Sequence, residues 1–444
     1  MQKNVGSECG KTLDYDVIIA GGGMVGASLA LALNYYSQQK IKVLVVESYA
    51  PSDEQSNLRY SPSFDGHSTA LSYGSQIIYQ QLGLWPLLSQ QVTPIENIHV
   101  SSRGAFSSSK MTAEEMNWPA LGYVIENAWL GKVLLNALQQ TSITMACPAS
   151  VLSAQFDRVQ VSVLLEENGQ QRNVTAQLLV VADGANSQLR AQLGIEHSTH
   201  NYQQSAIVAN VCFDKPHQRI AFERFTDEGP MALLPLSADN NQLEKNKAAL
   251  VWTQTPAQAE SLCRCEEQVF LSCLQQRFGH RLGKFTKVGE RIAYPLQLLT
   301  SDEQVRSNVV VMGNAAHALH PVAGQGFNLA LRDCARLTEL LIRAINNQQS
   351  LGDISLLTQY QQAQNFDQQK TILFSDKIGE LFANPFTPLS VLRNLGLISL
   401  DVFPPLRQTF VRHAAGQHNG AALGYIAEND QASRGSAVGE NIDA

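Results

Sequence analysis

The chain has 444 residues, 44% of them hydrophobic and 16% charged, with a formal net charge of -7. That length supports two or three domains with separate cores, and the composition excludes a disordered chain. The acidic balance excludes the basic footprint of a nucleic-acid binder. Seven cysteines lacking paired spacings give neither a disulfide framework nor a zinc site.

Residues 1–13 are polar and lack the charged start and apolar run of a secretory signal. No stretch approaches the ~20 apolar residues of a membrane span. The expectation is a cytoplasmic protein that meets any membrane from outside. A buried parallel strand is predicted over 15–20, a helix over 24–36 and a second strand over 41–46. Gly21, Gly23 and Gly26 fill the turn between strand and helix, and Glu47 ends the second strand about twenty residues further on. This is a dinucleotide-binding βαβ unit. Gly21 permits the tight turn, Gly23 lets a pyrophosphate approach the backbone, and Gly26 lets helix and strand pack closely. The helix N-terminus faces the pyrophosphate, and Glu47 can accept from a ribose diol.

A third strand is predicted over 177–182, turned by Asp183 and Gly184, with Ser187 and Arg190 following. Successive strands over 206–213, 219–226, 229–236 and 248–253 predict a mostly antiparallel sheet. One helix over 256–278 is expected to cover it, with Cys263, Cys265 and Cys273 as reduced thiols. Apolar residues of 231–236 are candidates for lining a pocket or for ordinary sheet core. A further strand over 308–312 turns at Gly313 and Asn314. The loop His320-Pro321-Val322-Ala323-Gly324-Gln325-Gly326-Phe327-Asn328 then leads into an amphipathic helix over 327–346. Helices follow over 354–382 and 389–403. The second of these has a wide apolar face, suited either to packing or to a membrane or partner. Residues 416–444 read as a polar, flexible tail.

Several residues have plain readings. His317 and His320 lack a third ligand, so no metal is expected. Ser187 has no nucleophile elbow around it. Arg332 and Asp333 read as a surface or capping ion pair. Tyr202, Glu223 and Tyr294 are polar groups of the second sheet whose direction the sequence leaves open.

Together the three glycine-bearing segments, in this order, resemble those of the class A flavoprotein aromatic hydroxylases, over roughly residues 14–410. Segments 221–226, 229–236 and 281–284 are similar to those of the ubiquinone-biosynthesis members. The resemblance implies an α/β fold: an FAD-binding Rossmann-like domain of the glutathione-reductase and p-hydroxybenzoate-hydroxylase type, interrupted by a mostly antiparallel β-sheet substrate domain, with C-terminal helices. The implied division gives the FAD domain 14–92, 131–194 and 301–350. The substrate domain takes 93–130 and 195–300, followed by a helical region over 351–415 and a tail over 416–444.

By resemblance Gly21, Gly23, Gly26 and Glu47 hold the ADP half of FAD. Asp183 and Gly184 serve FAD and NADPH, Gly313 and Asn314 meet the ribityl and pyrophosphate region, and Pro321, Gly324, Gln325, Gly326 and Asn328 line the isoalloxazine. The chain has Asn314 where many members have Asp, and His67 where many have an Arg that contacts the flavin. The implied reaction is phenol hydroxylation with NAD(P)H and O₂ through a flavin C4a-hydroperoxide. The implied partners are a lipid-tailed phenol, the other ubiquinone-biosynthesis enzymes and peripheral contact with the inner membrane. Two rival readings stay open at this point: an FAD-dependent reductase or epoxidase of an isoprenoid, and a non-catalytic flavoprotein-like scaffold.

Overall fold

The structure, a computed structural model, describes residues 13–49, 67–102, 108–157, 159–226, 229–237, 246–319, 324–383 and 404–416. Short β-branched runs make its central sheet. Val17–Ala20, Val43–Val46, Leu178–Val181 and Val309–Val311 are buried along their whole length, as a parallel strand covered on both faces requires. The sheet has six strands, ordered Val305–Arg306, Val309–Val311, Leu178–Val181, Val17–Ala20, Val43–Val46 and Thr144–Ala146. All neighbours are parallel except the short first strand. Val17 and Ile19 face helices Met24–Tyr36, Asn127–Gln139 and Gln325–Asn346. Ile18 and Ala20 face an antiparallel meander, Ala149–Phe156, Val161–Glu167 and Gln170–Ala176.

A second sheet of nine strands stands beside the first. Its main path runs His317–Ala318, Ile292–Ser301, His197–Phe213, Lys247–Gln254, Gly229–Leu236, Ile220–Thr226, Asn97–Ser102 and Ser108–Thr112, with Phe285–Val288 paired to the third of these. It is antiparallel apart from the Ile220–Thr226 and Asn97–Ser102 pair. Side chains alternate between its faces. On the outer face Phe222, Met231, Leu233, Leu250 and Trp252 pack under Phe270, Leu274 and Phe278. The covering helix expected as one piece is two, Pro256–Arg264 and Glu267–Phe278. Cys265 and Glu266 are extended between them, and Arg291 caps the end of the first by donating to the Leu262 carbonyl at 3.0 Å.

A three-stranded sheet of Ser68–Ser72, Gly122–Glu126 and Val92–Ile95 joins the two larger ones. Helices Ile354–Ala383 and Pro404–Ala414 lie over the inner side of the second sheet. The expected helix over 389–403 and the tail over 417–444 lie outside the described residues. Arg332 and Asp333 correct the expectation of a surface ion pair. Both are buried, and neighbours on a helix point about 100° apart. Arg332 Nε donates to Asp367 at 2.6 Å, whereas Asp333 meets His317 Nε2 at 2.9 Å. No described helix is long and apolar enough to cross a membrane.

Candidate active site

Three strand-to-turn junctions lie side by side at the carboxyl ends of adjacent parallel strands, since Ala20, Val181 and Val311 are in register. They interlock. Gly21 has φ +108°, and a Cβ there would lie 2.4 Å from the Ala182 carbonyl oxygen. A Cβ on Gly313, φ +59°, would come within 3.2 Å of Val25 in the first turn of helix Met24–Tyr36. Arg190, buried, donates to the Ala315 carbonyl at 2.6 Å and so ties the second junction to the third. Spacing marks Arg190 as a fixed position of its segment but discloses no such role, because its acceptor is 125 residues away.

The first junction suits a pyrophosphate. Helix Met24–Tyr36 starts at Gly23 with no side-chain cap and no acid in its first turn, leaving donors and a partial positive charge for an anion. A Cβ on Gly26 would lie 1.9 Å from the Gly21 carbonyl oxygen. Glu47 is buried at the end of its strand. Its two oxygens accept from the Gly22 amide at 2.7 Å and the Tyr49 amide at 2.8 Å. A carboxylate has about four acceptor sites, so lone pairs remain for a ribose diol.

At the second junction Gly184 turns with φ +92° and open space above its Cα. Asp183 is exposed at the rim, yet crowding by the loop desolvates its carboxyl and raises its pKa, partly offset by the Ser187 hydroxyl. Ser187 caps helix Gln188–Gln192 by accepting from the Arg190 amide at 2.9 Å, a structural task. Asn314 at the third junction is exposed, so its amide is presented outward.

The helix start at Gly324 completes the rim. Gly324 has φ +59° and caps Gln325–Asn346 without a side-chain bond. Gly326, in the first turn, has nothing among the described residues within 4 Å of a Cβ position. Gln325 reaches the Ala414 carbonyl at 3.3 Å. Asn328 is fully committed to protein. Its oxygen accepts from the Ser72 amide and the Ser75 hydroxyl at 2.8 and 2.7 Å, and its nitrogen donates to the Ala70 and Gly324 carbonyls at 2.9 and 2.8 Å. Its side chain therefore fixes the helix start against strand Ser68–Ser72. Pro321 and His320 lie outside the described residues. His67 meets Tyr294 of the second sheet, Nδ1 to hydroxyl 3.5 Å.

The inner face of the second sheet differs from the outer one. A row of registered residues, Val100, Glu223, Ala232, Val251, Val208 and Ile292, is half-buried throughout, whereas Phe222, Leu233 and Leu250 of the outer-face row beside it are buried. Within 231–236, Met231 and Leu233 are sheet core, while Ala232 and Leu234 look inward. Of the polar groups whose direction was open, Tyr202 donates to Asp376 on helix Ile354–Ala383 at 2.6 Å, Tyr294 is exposed beside His67, and Glu223 is on the inner row. No cluster of metal-binding side chains occurs among the described residues.

Residues 14–372 match the FAD binding domain family. The chain is 33% identical to "Ubiquinone hydroxylase UbiL" of Rhodospirillum rubrum over 402 residues, covering 90% of this chain and 89% of that protein. It is 30% identical to "3-demethoxyubiquinol 3-hydroxylase" of Escherichia coli, covering 90% and 98%. Its fold is similar to that of p-nitrophenol 4-monooxygenase PnpA from Pseudomonas putida, with TM-score 0.72 and 16% identity over 91% of this chain and 99% of that one. Interlocked glycine junctions, an uncapped helix start and an anchored acid are what an FAD-sized dinucleotide needs, and the chain belongs to the FAD-dependent hydroxylases of the ubiquinone-biosynthesis type.

Proposed function

We propose that this protein hydroxylates the ring of 2-octaprenyl-6-methoxyphenol to give 2-octaprenyl-6-methoxy-1,4-benzoquinol, with O₂ and NAD(P)H. The observation that carries the reading is the half-buried row on the inner sheet face, apolar but for Glu223, in the sheet whose edge strand His317–Ala318 follows directly on the third junction. It supplies a dry, greasy wall for a lipid-tailed ring beside a flavin site. The names of the relatives, a ubiquinone hydroxylase and a 3-demethoxyubiquinol 3-hydroxylase, support the same class of substrate.

Bound FAD, once reduced by NAD(P)H, supplies the oxygen activation. The chain's residues supply the rest. In this reading Gly21, Gly23 and Gly26 admit the pyrophosphate to the helix start, and Glu47 accepts from the ribose. Asp183, Gly184, Gly313 and Asn314 face the middle of the cofactor. Gly324, Gln325 and Gly326 border its ring, with Asn328 holding them in place and Pro321 in the same loop. His67 stands where the sheet with Tyr294 approaches. The inner face orients the substrate ring and keeps water from it. The octaprenyl tail leaves the site for a membrane or a partner enzyme. Phe366 and Leu373, 55% and 56% exposed on one face of helix Ile354–Ala383 with Lys370 between them, suit contact at a membrane surface.

The test is product analysis under ¹⁸O₂ with the purified FAD-loaded protein, NADPH and the phenol. One labelled oxygen in the benzoquinol is expected. Labelled product from 3-demethoxyubiquinol alone overturns the named substrate and leaves the hydroxylase. Unlabelled product overturns the hydroxylase in favour of a reductase.

A further inference from the structure

Glu223 is the one carboxylate on the inner-face row just described, among the described residues. It sits mid-strand in Ile220–Thr226, opposite Ala232 on one side and Val100 on the other. Val100 and Ile98 pack toward Phe410 and Val411 of helix Pro404–Ala414. Helix Ile354–Ala383 crosses the same strands and brings Phe374 against Phe410, ring centroids 5.5 Å apart. The carboxylate is thus walled by aliphatic and aromatic groups, yet the residue keeps accessible surface. A packing role does not account for an acid here, because Val or Leu in this position would extend the apolar row at no desolvation cost.

Neighbouring ionisable groups are committed elsewhere. On the elements packed around Glu223, Asp376 accepts from Tyr202, Asp367 pairs with Arg332, Arg407 with Glu115, and Glu126 with Lys247. Lys370 lies over Phe366, Tyr123 packs with Trp85, and Arg412 and His413 lie in the last turn of their helix. His99 and Arg224, on the same two strands, point to the other face, toward Phe222 and Arg277. Burial alone pushes the Glu223 carboxyl up to about 8, with no charge contributing.

We propose that Glu223 is the catalytic base that takes the proton of the substrate's phenol hydroxyl. The proposal rests on the phenol-hydroxylase reading above. The O–H bond of the phenol breaks, its electron pair stays on the phenolate oxygen, and the proton goes to a Glu223 carboxylate oxygen. No electrons leave the pair of molecules. The phenolate pushes charge into the ring carbon para to it, which raises that carbon's nucleophilicity toward an electrophilic oxygen. A base whose pKa lies near the working pH combines a useful ionised fraction with a strong pull on the proton.

The experiment compares FAD-loaded wild type, Glu223→Gln and Glu223→Asp with 2-methoxy-6-prenylphenol, a short-tailed probe. Glu223→Gln keeps the shape and removes the base. Two readouts are taken: labelled-oxygen product formation, and the ultraviolet difference spectrum of the bound phenol across pH 6–9. Wild type is expected to gain rate as the Glu223 carboxyl ionises through about pH 8, and to show a bound-phenolate band that rises with pH. Glu223→Gln is expected to keep its FAD, bind the phenol un-ionised, and lose roughly 100-fold in kcat/KM. Glu223→Asp is expected to fall between them and to keep the pH-dependent phenolate band. Wild type that makes labelled product alongside a Gln variant with the same rate and phenolate band overturns Glu223 alone. Wild type that forms no labelled product overturns the functional reading and Glu223 with it. A Gln variant that does not fold passes the decision to Glu223→Asp, where an unshifted phenolate titration and rate overturn the proposal.

Discussion

Two glycines of the proposed cofactor site differ in what needs them, and substitution separates them. Gly26 is needed by the protein itself. A methyl there must displace the Gly21 carbonyl, because 1.9 Å is far inside contact distance and both partners are backbone. Gly26→Ala is expected to lower the thermal midpoint of the FAD-free protein as well as to release FAD. Among the described residues, Gly326 has no neighbour within 4 Å of its Cβ position, and it lies in the first turn of Gln325–Asn346. Gly326→Ala is expected to leave the FAD-free protein as stable or up to ~1 kcal/mol more stable, since alanine favours helix. Its FAD retention is expected to fall, because the open space is the proposed flavin side. Calorimetry of the stripped protein and flavin absorbance after gel filtration measure the two effects. Equal FAD retention in Gly326→Ala and wild type removes Gly326 from the cofactor wall.

The elements that position the site depend on bonds between segments far apart in the chain. Asn328 reaches residues more than 250 positions away with both ends of its amide. Asn328→Ala leaves the buried Ser72 amide and the Ala70 carbonyl without the Asn328 bonds, and takes one partner from the Ser75 hydroxyl, which keeps Ser72 Oγ at 3.2 Å. With ~1–3 kcal/mol for each buried group left unpaired, a loss of at least ~2 kcal/mol is expected in urea unfolding of the FAD-free protein. A loss below ~1 kcal/mol means the helix start is held by other contacts. Such tertiary bonds also mark the limit of what the sequence discloses. Helix Met24–Tyr36 was legible to both ends because its glycine turn and Ala/Leu run are local signals. Strand His197–Phe213 was legible only in its second half, since its first eight positions are mostly exposed and polar and are ordered by pairing with Ile292–Ser301. The meander over 149–176 escaped notice because one of its faces is wet and polar. The break at Cys265 escaped because Arg291, just before strand Ile292–Ser301, caps it from 29 residues away. In the site the glycines and Glu47 were legible through spacing, whereas Arg190, the Asn328 bonds and the inward turn of Glu223 exist only once the sheets are assembled.

At the scale of the whole molecule, the third junction runs directly into the second sheet through strand His317–Ala318, and that linkage of the two sheets has a thermodynamic signature. The junctions lie on the parallel sheet and the apolar row on the other, so a site between them forms only when both have folded. Glu223 belongs to that assembled state. In the unfolded chain its carboxyl has the ordinary value of 4.5; in the folded protein burial raises it to about 8. Between those values the folded state binds more protons than the unfolded state, so the term from Glu223 makes stability fall as pH rises. Below about pH 4.5 the group is protonated in both states and contributes no slope, and above about pH 8 it is ionised in both. The slope between is at most ~1.4 kcal/mol per pH unit, and less to the extent that the accessible part of the residue is solvated. Glu223→Gln keeps the shape without the titration. Its stability advantage over wild type is therefore expected to widen steadily from pH 5 to pH 8 and then level off, in denaturant midpoints of the FAD-free protein taken at fixed ionic strength. An advantage that stays constant across that range would mean that Glu223 titrates like a surface glutamate, and the inner face is then open to bulk water rather than enclosed by the two sheets and their helices.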